Sequence, residues 1–71
     1  MERKKLRELR KKSNISGAHL ARSLGFNSSA GYFNIEYGLN KLSFEHATII
    51  AKELGVNLDD LREDAENLDS F

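Results

Sequence analysis

Few side chains in this 71-residue chain are arranged for bond-breaking chemistry. His19 and His46 have no nucleophile or acid at catalytic spacing and no second ligand at metal spacing, and the sequence contains no cysteine. Asp59, Asp60, Glu63 and Asp64 form an acidic run. It lacks the alternating oxygen ligands and glycine of a calcium loop, so a solvated helix face is the ordinary reading. No glycine-rich phosphate loop, nucleophile triad or zinc motif is present. With no closed pocket expected from so small a core, the chain is not expected to be an enzyme, and neither a cofactor nor a small-molecule substrate is expected.

Charge gives a positive signal. Residues 1–22 hold eight basic residues (Arg3, Lys4, Lys5, Arg7, Arg10, Lys11, Lys12, Arg22) against Glu2 and Glu8, a net of +6. Residues 23–58 net −1, and residues 59–71, with Arg62 against six acids, net −5. The whole chain is neutral, but a basic head can meet phosphates while an acidic tail points away from them. Taken alone, the basic run is ordinary for a solvated helix.

These charges must be positioned by short helices. The spacing predicts helix one over about Glu2–Lys12, with Leu6 and Leu9 as its apolar stripe. S-N-I-S then breaks it and Ile15 plugs the gap. Helix two starts from Ser16 as N-cap, turns Ala18, Leu20, Ala21 and Leu24 inward, and stops at Gly25, with Phe26 folding back onto its last turn. Helix three starts from Ser28, buries Tyr32 and Ile35, and stops at Gly38. Two short helices joined by a glycine-containing turn are the unit that places a second helix in the DNA major groove.

After the loop L-N-K-L, helix four is capped by Ser43, has Glu45 in its first turn, and turns Ala47, Ile49, Ile50, Ala51 and Leu54 inward as the central core helix. Gly55 closes it, Val56 plugs, Asn57 caps, and helix five carries Leu58, Leu61, Ala65 and Leu68. The expectation is an all-α, compact five-helix bundle over residues 1–66, followed by a short acidic tail at 67–71. The charged start is too polar for a signal peptide and no apolar run reaches membrane-spanning length, so a cytoplasmic protein with no membrane partner is expected.

The runs L-R-E-L-R-K-K, I-S-x-x-x-L-A-x-x-L-G-F, Y-F-N-I-E-Y-G and I-A-K-E-L-G-V-N-L-D-D-L, between about Leu6 and Leu61, resemble the phage repressor/Cro type of helix-turn-helix domain. That resemblance implies a lambda repressor-like fold and double-stranded DNA as partner, bound by a homodimer or by a domain of a longer chain. It places helix three, about 28–37, in the major groove. Base contacts would come from Ser28, Ser29, Ala30, Phe33, Asn34 and Tyr37, with the Asn34 amide suited to adenine. Phosphate contacts would come from Arg10, Lys11, Lys12, Ser16, Asn40 and Lys41, with help from the amides at the start of helix two. It also implies an ion pair between Arg10 and Glu36.

The sequence departs from that family in several places. Gly17 stands where the family often has a phosphate-contacting Gln, and Leu42 where a Pro is common. Between Arg22 and Lys41 there is no Lys or Arg, and Gly31 lies within helix three. Phe33 and Tyr37 fall on the outward face in this register, and burial of one of them is the competing reading. An apolar helix three also fits a second class of function, a protein-interaction module of antirepressor-like or multimerising kind.

Overall fold

The computed structural model describes residues 2–61. Its elements are α1 (Lys4–Lys12), α2 (Gly17–Ser23), α3 (Ser29–Glu36), α4 (Phe44–Leu54) and a 3-10 turn, Leu58–Leu61. The chain is all-α among the described residues, with four helices and a short turn where five helices are expected. The fifth helix is represented by that single turn, and its continuation through Ala65 and Leu68, the domain end at 66 and the acidic tail at 67–71 lie outside the described residues.

Helix α1 starts two residues later than its spacing suggests because Arg3 has left the helical region (φ −97°, ψ 80°). The Arg3 backbone N–H instead donates to the Glu36 carbonyl at 2.8 Å. At the other end, Asn14 adopts a left-handed φ of 61°, which Asn tolerates better than most side chains. The Ser13 hydroxyl donates to the Leu54 carbonyl at 3.2 Å, joining the ends of α1 and α4.

Helices α2 and α4 have true side-chain caps. Ser16 Oγ accepts from the His19 N–H at 3.0 Å and Ser43 Oγ from the His46 N–H at 3.1 Å, each about 1 kcal/mol relative to an uncapped end. Ser28 is extended and occupies the N-cap position of α3 without a side-chain cap bond. Gly55 ends α4 with φ 71°, and the Val56 N–H turns back to the Ala51 carbonyl at 3.0 Å. At the 3-10 turn the expected Asn57 cap is reversed: the Asn57 N–H donates to Asp60 Oδ2 at 3.0 Å.

The core joins Leu6 of α1, Leu20 and Ala21 of α2, Tyr32 and Ile35 of α3, and Ala47, Ile50, Ala51 and Leu54 of α4, closed by Leu42 and Leu61. Burying one such leucine or isoleucine contributes about 1.5–3 kcal/mol. Leu42 therefore anchors the α3–α4 loop. Ala18, expected inward, is exposed. Buried Gly17, Leu20 and Ala21 define the inward stripe of α2, and position 18 falls beside it. The longest described helix spans 11 residues, and none is long and apolar enough to cross a membrane.

Candidate nucleic-acid interface

The side chains that orient α3 gather at its C-terminal end. Glu36 is only 1% exposed. Arg10 donates to it twice, Nε to Oε2 at 2.8 Å and Nη2 to Oε1 at 3.3 Å. The Tyr32 hydroxyl donates to Oε2 at 2.7 Å, and Arg7 Nε stands 3.4 Å from Oε1. Arg7 also pairs with Glu2. A buried carboxylate is tolerated only when its lone pairs are satisfied and its charge is matched, and both conditions are met.

Burial pushes the Glu36 carboxyl pKa up. Hydrogen bonds from Arg10 and Tyr32, with the charges of Arg10 and Arg7, outweigh burial and hold it below the ordinary carboxylate value. The same contacts raise the Arg10 guanidinium, chiefly through its hydrogen bond to Glu36. Tyr32 is raised first by burial and then by that carboxylate. At neutral pH the network is therefore a carboxylate between two guanidinium groups, with a neutral phenol.

This geometry bears on the expected roles of Arg10. Arg10 is expected both on phosphate and in an ion pair with Glu36, and the ion pair is the contact its surroundings show. Its side chain is 12% exposed. Its third nitrogen, Nη1, reaches the Ile15 carbonyl at 3.4 Å, and its guanidinium lies 5.9 Å from the Tyr32 ring and 5.4 Å from the Phe33 ring.

Phe33 follows the competing reading, in which one of the two aromatics turns inward. Its ring is turned against α2 and is partly buried on the core. A Cβ on Gly17 would stand 2.3 Å from Phe33 Cζ and 2.6 Å from Cε2, well inside van der Waals contact. Gly17 and Phe33 thus interlock, which explains why no Gln-sized side chain occupies position 17. Gly31 has the same relation to Phe26, whose Cγ would lie 2.4 Å from a Cβ there. Each glycine lowers helix propensity and in return lets an aromatic ring close the α2–α3 angle.

The other expected site residues are distributed as follows. Ser28, Ser29 and Ala30 are exposed at the start of α3, and Asn34 is half-buried one turn on. No hydrogen bond engages the Asn34 amide among the described residues; its carbonyl takes the Leu39 and Asn40 N–H groups at 2.9 and 3.1 Å. Tyr37 is 50% exposed. Lys11, Lys12, Asn40 and Lys41 are exposed. Ser16 is exposed as well, and its oxygen already accepts from His19.

Sequence reasoning missed the roles of Arg3 and Arg7. Arg3 Nη1 donates to the Ile35 carbonyl at 2.6 Å and to the Asn40 carbonyl at 3.0 Å, placing a cation on the negative end of α3. The signal was in the basic run itself. Arg3, Arg7 and Arg10 recur at four and three residues, one helical stripe, whereas Lys4, Lys11 and Lys12 are exposed. Planar, multidentate arginine faces inward and hydrated lysine faces solvent.

Both histidines contact neighbouring helices or loops. His19 Nε2 meets Glu53 Oε1 at 2.6 Å, tying α2 to α4, and His46 packs edge-on to Phe26 at 5.6 Å. Among the described residues no group of His, Cys, Asp or Glu could hold a metal ion.

The family model described as helix-turn-helix matches residues 6–61, from the buried Leu6 of α1 to the buried Leu61 of the final turn. The chain belongs to the helix-turn-helix family. Members of this family are DNA-binding regulators. Comparison with curated proteins and with solved structures gives no match. Within this helix-turn-helix protein, α2 and α3 are the paired helices, and the Glu36 network locks α3 to α1.

Proposed function

We propose that this helix-turn-helix protein binds double-stranded DNA sequence-specifically as a cytoplasmic prokaryotic or phage transcriptional regulator. The supporting observation is the division of α3. Tyr32, Ile35 and Glu36 are buried and locked to α1, while Ser28, Ser29 and Ala30 are exposed at the helix start. The N-terminal residues of a recognition helix are the ones that meet base edges. Ser28, Ser29, Ala30 and Asn34 then read bases, and Lys11, Lys12, Ser16, Asn40 and Lys41 contact phosphates and fix register. Arg10 and Phe33 support this surface from behind. A homodimer on a two-fold site, or a second domain in a longer chain, supplies the affinity that one half-site lacks.

Selection from random duplexes, followed by titration of the enriched sequence and a scrambled one at two salt concentrations, tests the reading. The expected result is a preference for the enriched duplex and a steep fall in affinity with salt. Equal binding of both duplexes, or none at low salt, would sink it.

A protein-interaction role is the second reading, favoured by one observation. Tyr37, Leu39 and Phe44 are 50%, 74% and 37% exposed around the α3–α4 loop. Retention of a protein partner at high salt, with no duplex bound, would favour it over DNA.

A further inference from the structure

The family resemblance assigns Tyr37 to bases, but the position and packing of this residue suit another contact. Tyr37 is the C-cap residue of α3, at the opposite end from Ser28–Ala30. Its ring is stacked on Phe33, with centroids 6.0 Å apart and planes at 25°. Phe33 is itself held on three sides. Gly17 meets its tip, the Arg10 guanidinium lies 5.4 Å from its centroid, and Tyr32 packs edge-on at 5.4 Å. An exposed tyrosine would ordinarily lose rotamer freedom on binding. Here the stack has already restricted the ring.

We propose that Tyr37 is a DNA phosphate contact and that Phe33 is the residue that positions it, an assignment that rests on the DNA reading above. The chemistry is that of a neutral O–H donor reaching a phosphate oxygen, one of the side-chain types that contact the DNA backbone. A helix C-terminus normally repels a phosphate, because its carbonyls carry partial negative charge. At α3 that repulsion is reduced. The Arg3 guanidinium takes the Ile35 carbonyl at 2.6 Å, and backbone N–H groups take those of Phe33 and Asn34. Gly17 completes the arrangement, since any side chain there would displace the Phe33 ring and with it the support under Tyr37.

The test is a double-mutant cycle on the full chain, using a selected duplex and a scrambled one. Tyr37→Phe keeps the stack and removes the hydroxyl. It is expected to weaken both duplexes about threefold to tenfold, and by the same factor. Phe33→Leu fills space without stacking, and is expected to weaken binding similarly in the parent and to add nothing in the Tyr37→Phe background. A purely structural Phe33 would cost the same in both backgrounds. Thermal unfolding of each variant confirms that the proteins compared are folded. Additive losses, unchanged binding by Tyr37→Phe, or a shift in base preference would overturn the assignment while leaving DNA binding intact. Failure of the parent protein to bind any duplex would overturn the DNA reading and this proposal with it.

Discussion

Arg10 and Glu36, 26 residues apart in sequence, form a two-pronged ion pair, Nε to Oε2 at 2.8 Å and Nη2 to Oε1 at 3.3 Å. It fixes the angle at which α3 leaves α1, and therefore the face that α3 presents. We predict that Arg10→Met, which strands the buried carboxylate, destabilises the fold by about 3–5 kcal/mol. In a domain of this size that is a large share of the total stability. The double variant Arg10→Met/Glu36→Gln should recover part of the loss. Urea unfolding of the three proteins checks this, and a double variant less stable than Arg10→Met would contradict it.

The same carboxylate gives the fold an acid limit. Because the folded-state pKa of Glu36 is lowered, the unfolded chain takes up its proton first as pH falls. The stabilisation is fully present above the unfolded value of about 4.3 and is lost as pH drops from there through the folded value. We predict a stability profile that is flat in this contribution from neutral pH to about pH 5 and falls below about 4.3. Glu36→Gln should show a shallower acid limb in a thermal-melt series. Identical limbs in the two proteins would remove Glu36 as the cause.

Gly17 and Phe33 yield a prediction in which two effects oppose. Gly17→Ala gains up to about 1 kcal/mol of helix propensity, but its Cβ would stand 2.3 Å from the Phe33 ring tip. That ring is hemmed in by Tyr37, Tyr32 and Arg10, so it cannot swing aside, and overpacking of this kind costs about 1–3 kcal/mol. The expected net is a loss of about 1–2 kcal/mol, relieved when Phe33→Leu is introduced with it. A Gly17→Ala protein as stable as the parent would show that the ring yields cheaply.

Most of the architecture was legible in the sequence, because caps and apolar spacing are local signals. Ser16 and Ser43 cap α2 and α4, Gly55 closes α4, and the stripes Leu20/Ala21, Tyr32/Ile35 and Ala47/Ile50/Ala51/Leu54 form the core. The failures came where a side chain's role depends on a partner far along the chain. Arg3 reads as one more cation of a basic run until the fold brings the α3 C-terminus to it. Phe33 lies on the outward side of α3 by periodicity, yet the missing side chain at Gly17 lets its ring tip close against α2. Gly31 reads as a weak point in a helix, and Phe26 turns it into a packing site.

The proposed division of labour between base and phosphate contacts is testable residue by residue. Asn34 lies one turn beyond the exposed start of α3, and its amide has no hydrogen bond among the described residues, so it suits a bidentate contact to adenine. Lys41 is exposed in the loop after α3, and the proposed reading gives it a phosphate contact. We predict that Asn34→Ala lowers affinity for the selected duplex by about 1–3 kcal/mol and leaves scrambled DNA unaffected, relaxing preference at one position. Lys41→Ala should instead weaken all duplexes alike and reduce the slope of log K against log salt by about 1. Neither change alters a core residue, so both proteins should melt close to the parent. If the two variants lose affinity in the same proportion on every sequence, Asn34 is not reading a base, and recognition must lie with Ser28, Ser29 and Ala30 alone.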